Sequence, residues 1–148
     1  MSETPSAPSV QTPRHLWVIG IVTLLWNAMG AFDYLMTQTQ NESYMGQLTP
    51  EQIEFFYGFP SWVVAFWAIA VWGGVLGSIL LLLRRSLAVS VFMVSFASMF
   101  ITAIQNYVFS NALEVSGMFG LIFSVVIFLV ALGLILYSRA MRERGVLA

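Results

Sequence analysis

Two apolar stretches of this sequence carry side chains that could hold a solute or pass a proton. In the first, Thr23, Asn27, Gly30 and Tyr34 recur at i, i+4, i+7 and i+11, which places them on one helix face with Asp33 at its edge. In the second, Ser95, Ser98, Thr102, Gln105 and Asn106 do the same, with Ser98, Thr102 and Asn106 four residues apart. At about 1.5 Å per residue the two faces match in height, Asn27 with Ser98 and Asp33 with Gln105 and Asn106. This makes the two faces natural partners. An ionisable group within a membrane span points to a binding or relay site, here a solute path of Asn27, Asp33, Tyr34, Ser98, Thr102, Gln105 and Asn106. The same groups could instead serve as interhelical hydrogen bonds worth about 0.6 to 2 kcal/mol each.

Other chemistry has little to draw on. The single His15 precedes the first apolar run, there is no Cys, and no nucleophile stands beside a base, so no catalytic residue and no metal site is expected. The glycine pairs are not followed by Lys and follow no strand, which removes a nucleotide-binding loop, and no cofactor is expected. The largest basic grouping is three Arg near the C-terminus, too few for nucleic acid.

The elements that must position these residues are set by composition. Of 148 residues 59% are hydrophobic and only 9% charged, with mean hydropathy +0.84, far from the roughly 25% charge of soluble domains. A span needs about 20 apolar residues, and four such stretches are present: about 16–36, 61–83, 87–109 and 117–137. The expected fold is an all-α membrane protein, an antiparallel bundle of four transmembrane helices in one domain over 14–148, with the bilayer as its partner. Residues 1–13, rich in Ser, Thr and Pro, read as a disordered cytoplasmic tail. Arg84-Arg85-Ser86 and residues 110–116 are short connections that make neighbouring spans antiparallel.

The long connection, 37–60, contains a helix start. Thr49 can cap, Pro50 suits the first helical position, Gln52 completes a capping box, and Gly58 with Pro60 ends the run. It reads as a short amphipathic helix outside the cytoplasm, lying at the membrane surface or capping the bundle.

Small residues mark helix contacts. Gly73 with Gly77 and Gly74 with Ser78 form overlapping small-xxx-small pairs on adjoining faces of the second span, directed at a neighbour in the bundle or at a second copy. Gly30 and the Gly117, Gly120, Ser124 series suggest shorter versions, whereas Leu81 reads as facing lipid. Trp26, Trp67 and Trp72 read as filling packing space.

All six basic residues are Arg: Arg14, Arg84, Arg85, Arg139, Arg142 and Arg144. They fall before the first span, between the second and third, and after the fourth, places that share one side. The other side holds Asp33, Glu42, Glu51, Glu54 and Glu114 with no basic residue. The bias predicts that both termini are cytoplasmic.

The segments TLLWNAMGAFDY (23–34) and FPSWVVAFWAIAVWGGVLGSILLLLRRSLAVSVFMVS (59–95) resemble a group of small four-span bacterial inner-membrane proteins of unknown function, often labelled automatically as sugar transporters. The likeness covers about residues 16–107 and rests on LLWN-x-x-G, Pro60-x-Trp62, and GG-x-LGS followed by two Arg. It implies an oligomeric transporter or binding protein for a small, sugar-like solute, and it supplies no substrate residues. The alternative is an accessory subunit docking on a larger membrane complex through Tyr44, Phe55, Phe56 and Tyr57. A chain without Cys makes the orientation simple to test. Single cysteines at Ser43 and Ser2 should react with an impermeant maleimide from the periplasmic and the cytoplasmic side respectively, and the reverse pattern would refute the assignment.

Overall fold

In the computed structural model, which describes residues 10–148, the chain forms six helices: α1 Arg14–Gln38, α2 Glu42–Met45, α3 Pro50–Tyr57, α4 Ser61–Leu82, α5 Leu87–Val108 and α6 Ala112–Glu143. No strand occurs among the described residues. The reading of 1–13 as a disordered tail lies mostly outside them. Helices α1, α4, α5 and α6 are each long and apolar enough to cross a membrane, and the protein is a multi-pass membrane protein built as an antiparallel bundle. Their outer faces expose Val22, Leu25, Met29, Phe119, Ile122 and Leu129, the pattern of a surface solvated by lipid.

The element ends follow local chemistry. Pro13 and Pro60 stand at the N-caps of α1 and α4, where a missing N–H costs nothing. Thr49 and Gln52 form the reciprocal capping box of α3, with Thr49 Oγ1 accepting from the Gln52 N–H at 3.2 Å. Three helices end in the same left-handed closure: α1 at Gln40 (φ 52°), α4 at Arg84 (φ 56°) and α6 at Gly145 (φ 77°). In each, the N–H two residues past the cap returns to a carbonyl in the last turn, as Val146 does to Met141 at 2.9 Å.

Helix α4 is central. Its two small-residue pairs are directed at two different neighbours inside the chain. A Cβ added at Gly73 would meet Ser95 Cβ of α5 at 3.0 Å, and one at Gly77 would meet the Phe92 ring at 2.6 Å. On the adjoining face a Cβ at Gly74 would meet Asn27 Oδ1 of α1 at 2.5 Å, and Ser78 accepts a 3.0 Å hydrogen bond from Asn27 Nδ2. Ser95 closes the α4–α5 seam by donating to the Ala70 carbonyl at 2.6 Å. Tyr107 clasps α5 to α6 through Ser124 at 2.7 Å. Gly20, which the sequence reading passed over, lets α1 approach Leu82.

Several expectations change. Asn27 pairs with α4, not with Ser98 on α5, because α4 lies between the two polar spans. Leu81 does not face lipid: it is fully buried in a core with Leu16, Phe92, Leu134 and Met141 at the arginine-bearing end. Gly30 is no close-approach site, since a Cβ there would meet Val71 at an ordinary 3.8 Å. The fourth helix starts earlier than residue 117 and runs past 137, broken at Gly117, whose φ 68° and ψ −165° belong to a region open essentially to glycine alone. Gly120 meets its own Ser116 across that break rather than another helix. Beyond α6, Val146 and Leu147 turn back into the core, and Ala148 exchanges backbone hydrogen bonds with Arg84 and Ser86 at 2.9 and 2.8 Å.

These contacts rank substitutions that look alike on a helical wheel. Thermal unfolding in mild detergent should show Gly77→Leu destabilising by at least about 3 kcal/mol through overpacking against Phe92. Leu81→Ala should cost about 2 to 5 kcal/mol, and Leu76→Ala, at a half-exposed position, less than about 0.5 kcal/mol. Gly117→Ala should cost about 1 to 3 kcal/mol from backbone strain alone, although no atom lies within 4 Å. Equal melting of all four variants would show that the stripes and the break are incidental.

Candidate functional site

The bundle is unevenly filled. Its arginine-bearing half is solid, whereas its other half encloses a cavity of about 460 Å³. Helices α1 and α6 are the free edges of the row α1, α4, α5, α6 and meet there through side chains, as in the Trp26–Phe123 ring pair at 6.0 Å. The cavity lies between them. Helix α1 contributes Trp26, Asn27, Gly30 and Asp33, α4 contributes Val63, Trp67 and Ala70, and α5 contributes Met99, Thr102 and Asn106. Tyr44 of α2, Phe56 of α3 and the following Phe59 cover it. Met29 and Phe123 also line it while being 68% and 49% exposed, so it opens on the lipid-facing side between α1 and α6.

Several of the polar groups in the lining are already engaged. Asn27 Nδ2 is held by Ser78, and Thr102 Oγ1 donates to the Met99 carbonyl at 2.8 Å. Tyr44 donates its hydroxyl to Asp33 Oδ1. Burial, the hydrogen bond to Asp33 and the charge of Asp33 together push the Tyr44 hydroxyl up to about 12, so it remains a neutral donor at any physiological pH. Among the described residues, the second oxygen of Asp33, the Asn27 oxygen and the indole N–H groups of Trp26 and Trp67 have no side-chain partner, and Asn106 Oδ1 also has none but is buried away from the open space. Among the described residues that line it, Asp33 and Tyr44 are the only ionisable side chains and none is cationic. An unsatisfied buried amide oxygen carries a desolvation cost of about 1 to 3 kcal/mol until something donates to it.

Of the seven residues proposed for a solute path, Asn27, Asp33, Thr102 and Asn106 meet at this cavity. The other three do not line it. Tyr34 packs edge-on against Trp67 with centroids 4.9 Å apart, Ser98 is buried within the α5 interface, and Gln105 faces a second, outer cleft. That cleft, of about 700 Å³, is walled by Glu51, Glu54, Glu114, Gln105 and Ser110, and it shares Phe59 with the inner cavity.

Sequence reasoning missed the cover. Tyr44 sits in a connection with no periodic signal, and its tie to Asp33 depends on how α1 ends at Gln40. Phe56 was visible on the short helix α3 and Trp67 as a deep aromatic, but nothing showed that they and Phe59 face one space. Among the described residues no three His, Asp or Glu side chains gather as metal ligands would. No protein-family model, curated protein or solved structure matches the chain.

The cover hangs on one side-chain latch outside the spans. Tyr44→Phe should leave the global melting point close to the parent, yet speed hydrogen–deuterium exchange across 41–48, since the connection loses its tie to α1. Because the folded state holds the Tyr44 proton more tightly than the ordinary value of 10.0, the latch's contribution is complete below pH 10 and is lost as pH rises toward about 12. Unchanged exchange in the phenylalanine variant would show that the latch holds nothing.

Proposed function

We propose that this chain is a protein of a bacterial cytoplasmic membrane, with both termini in the cytoplasm, that binds a small solute in the cavity between α1 and α6 as a binding or transport protein. The observation that supports this reading is a cavity of about 460 Å³ with mainly aromatic and aliphatic walls, whose lining includes the Asp33 carboxylate with one oxygen unpaired. The arginine distribution supports the orientation and puts the cavity in the periplasmic half.

Access is one-sided in this arrangement. The core of Leu16, Leu81, Phe92, Leu134 and Leu147 closes the cytoplasmic half, so passage across the membrane requires a rearrangement of the bundle. Transport by a small oligomer, as the family resemblance suggests, then needs a surface other than α4, because both of α4's small-residue stripes are occupied within the chain. Copies related in parallel fit the one-sided arginines. A sugar is a poor match, since a polyol needs many paired donors and acceptors and the lining is mainly aromatic and aliphatic. The accessory-subunit reading is weakened, because Tyr44 is tied to Asp33 and Phe55, Phe56 and Phe59 pack mutually at 5.1 to 5.7 Å, which leaves Tyr57 as the exposed aromatic of that set.

Two substitutions separate a functional from a structural polar face. Asp33→Asn keeps size and hydrogen bonding but removes charge, and it should lower solute uptake or binding about tenfold or more while preserving the melting point. Asn27→Leu should damage both, since it removes the tie to Ser78 and places bulk against Gly74. If Asp33→Asn is silent in flux and binding while Asn27→Leu merely lowers stability, the polar faces are glue and the solute reading fails.

A further inference from the structure

Each broad class of solute makes a different demand on the cavity wall, and the lining answers only one of them. An anion needs a cationic side chain or a row of free N–H donors, and no cationic residue lines the cavity. A bare inorganic cation needs six or so oxygen ligands for a divalent ion, within a few ångströms of one another, whereas this space of about 460 Å³ is walled mainly by Trp26, Phe56, Phe59, Trp67, Val63 and Val71. A polyol is disfavoured by a wall that is mainly aromatic and aliphatic. What the lining does offer is one carboxylate among several aromatic rings. Carboxylate and ring both favour positive charge, and the rings and aliphatic walls also favour an apolar body.

The approach to the site has the same sign. The outer cleft places Glu51, Glu54 and Glu114 around about 700 Å³, with all three exposed, and Phe59 alone is common to its wall and that of the inner cavity. No arginine lies at that end of the bundle. A cleft walled by one sign of charge raises the local concentration of the opposite ion and the rate of its arrival.

Resting on the solute-binding reading above, we infer that the cavity's ligand is a small organic ammonium with an apolar or aromatic body, its cationic head at Asp33 and its body against Trp26 and Trp67, and that the acidic cleft gathers it. Tyr44 then acts as a positioning residue, holding one oxygen of Asp33 and leaving the other to the ligand.

The test is calorimetric titration of the full chain in nanodiscs of zwitterionic lipid, with empty discs subtracted. The probes are benzyltrimethylammonium, its neutral carbon isostere neopentylbenzene, phenylpropionate and glucose. The expected result is saturable binding of the ammonium, at least about tenfold tighter than any other probe, and about tenfold weaker in Asp33→Asn. Equal affinity for the neutral isostere or glucose, or an ammonium affinity unchanged in Asp33→Asn, would overturn the ligand class while leaving solute binding intact. Absence of binding by every probe would overturn both. Should Asp33→Asn fail to fold, the joint substitution Glu51→Gln, Glu54→Gln and Glu114→Gln, all at exposed positions, decides the matter. It should slow ammonium association several-fold and flatten its salt dependence with dissociation unchanged, and unaltered association would refute the role of the cleft.

Discussion

The fold depends on the close approach of α4 to two helices at once. Lipid tails give helices no hydrophobic reason to associate, so packing and hydrogen bonds must do so, and small residues are what let backbones come near. Gly73 and Gly77 seat Ser95 and Phe92 of α5, while Gly74 and Ser78 seat Asn27 of α1. Because these two stripes adjoin on one helix, α1 and α5 are held to either side of α4. Their polar faces therefore look onto a shared space instead of touching. The cavity is a consequence of that separation.

The two halves of the bundle divide the work. At the arginine-bearing end, Val146 and Leu147 fold back among Leu16, Leu81 and Phe92, and the Gly145 turn that permits this makes the end solid. At the other end α6 is interrupted at Gly117, α3 and Phe59 cover the opening, and the void persists. A carboxylate with one unpaired oxygen in a membrane cavity is costly to maintain unless something occupies the space. That cost favours a ligand over a purely structural role.

The sequence made several features legible because each rests on a local or one-dimensional rule. Four apolar stretches of span length, the Thr49–Gln52 capping box and the one-sided arginines need no knowledge of neighbours. Periodicity also grouped Asn27, Gly30 and Asp33, which line one cavity, with Thr23 and Tyr34, which do not. It could not say which helix the face meets, since Asn27 matches Ser98 and Ser78 equally well on a wheel and only the stripes of α4 decide between them. The same blindness made Leu81 look lipid-facing: an all-apolar helix gives no contrast between core and lipid. Gly117 read as a packing glycine because a sequence does not display φ, and Tyr44 read as a docking aromatic because its tie to Asp33 depends on the turn at Gln40. For the site, the residues on helices were visible and the residues covering them were not.

The account stands on the cavity being a preformed, accessible space beside a closed interface on the same helix. Thr102 lines that space, whereas Ser98, one turn away on α5, is 4% exposed and outside it. The most direct measurement compares single cysteines at these two positions, in a chain with no other thiol, for their rate of reaction with a small thiol-specific reagent in nanodiscs. The account predicts that Thr102→Cys reacts readily and Ser98→Cys does not. Equal rates, or protection of both, would contradict it.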